Sequence, residues 1–489
     1  MRTRYIHHSH QHPDLASPTV IDAYKQDILS ALVSNVRLIS SKPAQENGSV
    51  YIGQAGIVLM NLHLARLAIE ENTLPHRDLA DKFLRAAVPP SLTHIQSPQD
   101  ASRASFLETP IGLATLIVER AIDLEGSPDF SEALTSACLE TVRDAVSLAV
   151  REDQRHSLLD DDGCEVLYGR AGTLYALLRL RTVSDNCSSK LGEEAKEVAS
   201  DSSISALVES IILRGKIGAK SYGSGVPPLL WRWHRKRYLG AAHGVAGILH
   251  MLLMIPGQIL QKHAEDILGT IDWLIRMQDG AGNWPTKAPD VDETVNAAES
   301  SDLVQWCHGA PGIVLMLCTL VHRATYTPQI FSLSNTQFTT ILSAISKGAS
   351  LIYRHGLLRK GVGLCHGVAG SVYALIGVSC AVEHYNLDGK SPSGSEESPA
   401  RNPADYLARA VHLAHLATRY AELTEEGKMT TPDRPWSLYE GVAGICCAWG
   451  SLLTLLDRRG TSESTLFDHE YGYRSGFPGF DDIRVSASW

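Results

Sequence analysis

The 489-residue sequence lacks any unbroken apolar run of the ~18 residues a membrane-spanning helix requires, so no transmembrane span is expected. It also lacks a basic excess: 44 Lys and Arg face 54 Asp and Glu, a formal net charge of −10. Nucleic-acid surfaces need clustered positive charge, so no nucleic-acid partner is expected. The opening stretch MRTRYIHHSHQH is polar, and no apolar segment follows that would make a secretory leader. Alternating Val, Ile and Thr runs between tight turns are missing, which argues against a sheet. Cysteines are few and odd in number, nine. Without export features they indicate a reducing, cytoplasmic setting, in which metal binding or catalysis outranks a disulfide framework. Peripheral contact with membranes stays open.

What is present begins with an ordinary globular composition, 44% hydrophobic and 20% charged. A short pattern recurs in it: G-x-x-G followed by an apolar, helix-forming run. It starts at Gly53 (GQAGIVLM), Gly169 (GRAGTLYA), Gly244 (GVAGILHM), Gly309 (GAPGIVLM), Gly367 (GVAGSVYA) and Gly441 (GVAGICCA). A degraded copy, TPIG at Thr109, keeps only the second glycine, and successive starts lie 56 to 75 residues apart. That interval suits two helices with generous connections. Stretches between tetrads are amphipathic, as in residues 131–152, whereas the runs after the tetrads are nearly all apolar.

The pattern predicts an all-α fold of seven helical hairpins, each a mostly buried inner helix with an amphipathic outer one. An open row of hairpins exposes two apolar faces, and closure into an α/α toroid, a double helix barrel, removes both. The glycines are expected to supply positive φ and close backbone approach at sharp G-x-x-G turns. All inner-helix N-termini then face one end of the ring. Residues 1–49 read as an N-terminal arm with the first outer helix, 50–480 as the single toroid domain, and 481–489 as a tail. Ser- and charge-rich stretches at 184–203 and 386–403 read as surface insertions, the second disordered. The cluster His7, His8, His10 and His12 reads as a mobile polar tail, with metal capture as the alternative.

Two motifs carry candidate chemistry. Cys307/His308 and Cys365/His366 are one repeat apart, so adjacent hairpins bring them together. Mixed Cys and His donors suit zinc. Spacing leaves three readings open: a closed site with two Cys and two His, a site of three ligands with an open position, or buried cysteines with satisfied histidines.

The stretches CEVLYGRAGTLYALL, YLGAAHGVAGIL, DLVQWCHGAPGIV, LLRKGVGLCHGVAG, PWSLYEGVAG and SGFPGFDD, in this order, resemble the signatures of the lanthionine synthetase C-like family, in its eukaryotic branch. The resemblance runs from about residue 50 to 480. It implies a seven-fold α/α toroid with one zinc ion held by Cys307, Cys365 and His366, and His308 as a neighbour. It further implies a thioether-forming enzyme that adds a thiol to dehydroalanine or dehydrobutyrine, with His243 as acid/base. The eukaryotic branch implies glutathione as co-substrate and dehydroamino-acid-containing proteins or peptides as acceptors. Lys360 and Arg4 resemble the family's glutathione-contacting basic residues. Glu165 stands where bacterial cyclases carry a catalytic Asp, and Leu303 where they carry an Arg. Glutathione transfer to small electrophiles and a non-catalytic glutathione- and zinc-binding role are the alternatives. The basic run RWHRKR (232–237) reads as a solvated face, with a role in drawing acidic substrates as the alternative.

Overall fold

The structure, a computed structural model, describes residues 3–43, 48–67, 75–88, 96–125, 130–154, 163–185, 187–223, 226–289, 301–387, 402–459 and 476–483. An apolar helix follows each tetrad: α2 (Gln54–Arg66), α4 (Pro110–Asp123), α6 (Arg170–Ser184), α9 (Val245–Leu253), α12 (Ala310–Tyr326), α14 (Val368–Leu387) and α17 (Val442–Arg459). Between them run α1 (Pro18–Ser40), α3 (His76–Ala87), α5 (Glu132–Gln154), α8 (Asp201–Lys220), α11 (Ala264–Arg276), α13 (Asn335–His355) and α15 (Pro403–Ala417). Consecutive tetrad helices pack on one another, and α17 packs on both α1 and α2, so the inner row closes into a ring. Three short helices, α7 (Lys190–Val198), α10 (Gly257–Leu260) and α16 (Tyr420–Glu425), decorate the outer layer. β-Structure among the described residues is limited to three isolated bridges.

Burial follows the two kinds of helix. Every residue of α9 is buried, as is α2 from Gln54 to Leu64. In contrast, α13 buries only Phe338, Ile341, Ala344, Ile345, Gly348, Ala349, Leu351, Ile352 and Tyr353, one face at three- and four-residue spacing. Ser334 and Gln337 form a capping box that starts this helix.

The turn into each inner helix explains the glycines, and it differs from the sequence expectation. Gly53, Gly169 and Gly244 have φ of −110°, −106° and −121°, and only Gly309, at 100°, is left-handed. Close approach is the common requirement. A Cβ on Gly56, Gly112, Gly172, Gly247, Gly312, Gly370 or Gly444 would fall under 3.0 Å from the carbonyl oxygen six residues earlier, backbone that cannot swing aside. The second glycine is therefore the one the degraded copy keeps. Gly112→Ala is expected to cost about 3 kcal/mol by forcing that backbone apart. Thr109→Gly should cost less, about 1–2 kcal/mol, through the loss of two hydrogen bonds: Thr109 Oγ1 accepts from Ser105 N–H and donates to Ser105 O. Urea unfolding midpoints of the two variants check the contrast.

Residues 184–203 hold a short helix additional to the seven hairpins: Ser189 caps α7, whose Gly192, Ala195 and Val198 are buried, and Ser200 caps α8. One expectation is corrected, because the histidine-rich arm is docked and not a mobile tail. His8 Nε2 lies 2.9 Å from the Tyr353 carbonyl, and His12 pairs with Asp405 at 2.8 Å. Most of the second insertion (388–401) and residues 484–489 of the tail lie outside the described residues. Residues 476–483 enter the ring, where Phe477 and Phe480 pack against Trp306. Asp482 is anchored there by Tyr175 and, at 3.3 Å, by Arg179.

Candidate metal centre and its rim

A five-residue turn precedes the inner helices, closed by Gly53 N–H to Ser49 O, Gly169 to Glu165, Gly244 to Gly240 and Gly441 to Ser437 at 3.0–3.1 Å. In four turns the first side chain accepts from backbone N–H inside the turn: Ser49 from Ile52, Ser105 from Glu108, Glu165 from Leu167 and Tyr168, and Ser437 from Glu440. The residue just before each tetrad sits at the same point of the turn. Ile52, Glu108, Tyr168, His243, His308, His366 and Glu440 therefore share one end of the ring. The residues one step earlier, which include Cys307, Cys365, Tyr439 and Tyr51, are buried.

Backbone bonds stitch these inner positions together. Cys307 N–H donates to Cys365 O (3.3 Å), Cys365 to Tyr439 (2.8 Å), Tyr439 to Tyr51 (3.1 Å) and Tyr51 to Leu107 (2.9 Å). The chain of bonds fixes Cys307 and Cys365 side by side. Donor atoms of Cys307, Cys365 and His366 all lie within 4.8 Å of one another, and all three residues are buried. His308 is not among the donors within that distance.

The hydrogen bond from the Cys365 thiol, supported by His366, holds Cys307 well below the usual thiol range despite its burial. Burial, together with the adjacent Cys307 sulfur, pushes Cys365 well above it. Two sulfurs so close share a proton, and a divalent cation would displace it. Outer contacts orient the sulfurs: Gln305 Nε2 donates to Cys307 Sγ at 3.3 Å, and the Tyr51 hydroxyl bonds Cys365. Two soft sulfurs and an imidazole suit zinc, whose bonds of about 2.0–2.3 Å reach across such a group.

His243 stands next along the rim. Its Nδ1 is 2.9 Å from Glu165 Oε2, and its ring lies 6.4 Å from His308. Glu165, 2% exposed, spends its oxygens on two backbone N–H groups and His243. Its contact with Nδ1 fixes the orientation of the His243 imidazole. Trp233 stacks on His243 (5.4 Å, 6°) and on Tyr168 (5.5 Å, 10°), with the Arg103 guanidinium over the Tyr168 and Trp233 rings. Trp233 is paired with Lys236 across a two-residue turn, and His234 and Arg235 have φ of 46° and 64°. Left-handed conformations cost a non-glycine residue about 1–3 kcal/mol each. Burial pulls His308 below the ordinary imidazole range against the pull of Cys307, and its Nδ1 is buried without a hydrogen-bond partner.

The arm runs beside the segment that carries Lys360. Arg359 N–H donates to Arg4 O at 3.0 Å and Tyr5 bridges to Leu358, which places Arg4 alongside the 357–360 segment. Lys360 in turn acts electrostatically on His308 and Cys365.

Sequence reasoning missed Glu108, Glu440, Tyr51, Tyr168 and Trp233. Aligning the tetrads on their second glycine would have found the first two, since Glu108 and Glu440 occupy the column of His243, His308 and His366. Burial, aided by Glu440 and Glu165, pushes the Glu108 carboxyl up to about 7, against the opposing effects of Ser49 and His243. Between the ordinary carboxyl range and pH 7 the folded chain therefore holds a proton that the unfolded chain has released. Stability from this group is complete below about pH 4 and is lost as pH rises through 7. Glu108→Gln is expected to raise the melting temperature at pH 8 and leave it unchanged at pH 4, as read by differential scanning calorimetry.

A closed double ring of helices with two cysteines and a histidine at neighbouring helix mouths defines an α/α toroid with a candidate metal centre. The model of the family described as lanthionine synthetase C-like protein matches residues 44–462, and the chain belongs to that family. It is 30% identical over 297 residues to the LanC-like protein GCL1 of Arabidopsis thaliana, covering 60% of this chain and 56% of that relative's length. It is 26% identical over 407 residues to the glutathione S-transferase LANCL1 of Danio rerio, 82% of each. Among solved structures, nisin cyclase shares the fold, with a TM-score of 0.53 at 14% identity over 93% of this chain and 97% of that one.

Proposed function

We propose that the chain adds the thiol of glutathione to the β-carbon of dehydroalanine or dehydrobutyrine residues in proteins or peptides, forming a thioether. The observation that carries this reading is the buried Cys307–Cys365–His366 donor group beside an imidazole already oriented by a carboxylate. A Danio rerio relative named as a glutathione S-transferase supports the choice of thiol. One zinc ion in that donor group would stabilise the thiolate form of an incoming thiol.

The chain's own residues supply the rest. Lys360 and Arg4 offer cations to the two carboxylates of glutathione, a pairing worth more than its charge because the contacts are also hydrogen bonds. When the sulfur–carbon bond forms, the C=C π pair moves onto the α-carbon and its carbonyl. His243, held at Nδ1 by Glu165, delivers a proton from Nε2 to the α-carbon. The proton lost by the thiol balances the one His243 gives up.

The test is incubation with glutathione and a dehydroalanine peptide, read by mass spectrometry for one added glutathione. Acceleration over the uncatalysed reaction supports the proposal. Glutathione binding without acceleration replaces it with a binding protein, and turnover confined to small electrophiles replaces it with a general transferase.

A further inference from the structure

We propose that the 233–236 hairpin is the acceptor-docking element and selects acceptors whose dehydrated residue is flanked by acidic side chains. The inference rests on the site reading above and adds the class of acceptor. The tip residues His234, Arg235 and Lys236 are exposed, and the turn is closed by reciprocal bonds of 2.9 Å between Trp233 and Lys236. Two successive left-handed residues make the hairpin turn that ordinarily takes Asn-Gly or Asp-Gly. Here two long basic or aromatic side chains hold those places, so strain is retained where a relaxed sequence was available.

Location gives the strain a purpose. Trp233, 5% exposed, forms the base of the hairpin and lies flat against His243, so the basic tip is keyed to the imidazole that meets the acceptor. Further positive charge lines the same flank. Arg103 is exposed over Tyr168 and Trp233, and the Tyr238–Lys287 bridge brings exposed Lys287 beside the segment leaving the hairpin. On a chain of net charge −10 these exposed cations gather on one flank, beside the Glu108 and Glu165 carboxyl groups next to Tyr168. An anionic peptide is drawn to such a flank, in a manner that salt weakens. The cations assigned to glutathione, Lys360 and Arg4, belong to the arm and the segment beside it.

The experiment is fluorescence anisotropy of the full chain with labelled decapeptides that carry unreactive alanine at the dehydrated position. The peptide with Asp and Glu flanks is expected to bind about tenfold tighter than the one with Lys flanks at low salt. Arg235→Glu with Lys236→Glu should abolish the preference. His234→Asn with Arg235→Gly, which relaxes the turn, should raise the melting temperature while weakening acidic-peptide binding several-fold. Equal binding of the two peptides, or acidic-peptide binding indifferent to charge reversal, overturns the proposal. So does binding of phosphatidylserine vesicles with no binding of the acidic peptide. Because the peptide is unreactive, a failure of thioether formation would strike the site reading and leave this result standing.

Discussion

Cys365→Ala is expected to lower zinc content from about one ion per chain to under a tenth and to abolish glutathione addition. The donor group has three members, all buried and brought together by backbone bonds between neighbouring repeats. Removing one sulfur leaves two donors, and the remaining Cys307 loses the hydrogen bond that favours its thiolate. Zinc held by two protein donors exchanges readily with solvent chelators, since affinity rests on the number of deprotonated ligands. Without the cation an incoming thiol keeps its ordinary pKa, and little thiolate exists at neutral pH. Elemental analysis after dialysis against a weak chelator gives the first readout, and the glutathione mass shift gives the second. Far-ultraviolet circular dichroism separates metal loss from unfolding, because the rest of the ring core is untouched. His308→Ala is the paired control. His308 lies outside the donor group, so its removal should leave zinc in place. Zinc loss in that variant would mean a closed four-ligand site and would remove the position proposed for the thiol.

The separate legibility of ring and rim has a physical basis. The inner helices were readable because their starts are fixed by backbone crowding: Gly56 and its six counterparts face a carbonyl oxygen, and no other residue fits. Such a constraint writes itself into sequence. The pairing of Cys307 with Cys365 was readable for the same reason, since a ring of near-equal repeats turns one repeat of spacing into adjacency. The conformation of the glycines was not readable, because crowding and positive φ select the same residue. Only Gly309 adopts the latter among the tetrad glycines with a described cap.

The rest depends on contacts between distant segments. Trp233 belongs to a basic stretch that reads as solvated face, and only the fold stacks its ring on His243. The arm looked mobile because its residues are polar, yet Tyr353, Asp405 and Leu358 are waiting for it on the ring. Glu165 invites a catalytic reading by position. In the structure its carboxylate does for the third turn what Ser49, Ser105 and Ser437 do for theirs, with His243 as an added partner.

That double duty shapes the second large effect, at His243. Replacing it with Asn should cut turnover about 100- to 10,000-fold, the range for removing a positioned proton donor. Zinc content and the KM for glutathione should hold, since His243 is neither a donor of the metal group nor part of the arm. Asn approximates the Nδ1–H bond to Glu165, so the turn before α6 stays capped and the loss reports on proton delivery. Glu165→Gln is the harder substitution to interpret, because the amide keeps one acceptor oxygen for the two backbone N–H groups that now share two. Its expected loss is about tenfold in turnover with a lower melting temperature, a structural cost that His243→Asn should not show. Single-turnover kinetics with the dehydroalanine peptide distinguish the steps. If His243→Asn turns over at the wild-type rate, the proton comes from elsewhere on the rim, and Glu108, whose carboxyl holds its proton up to about pH 7 in the same column of the repeat, is the next group to replace.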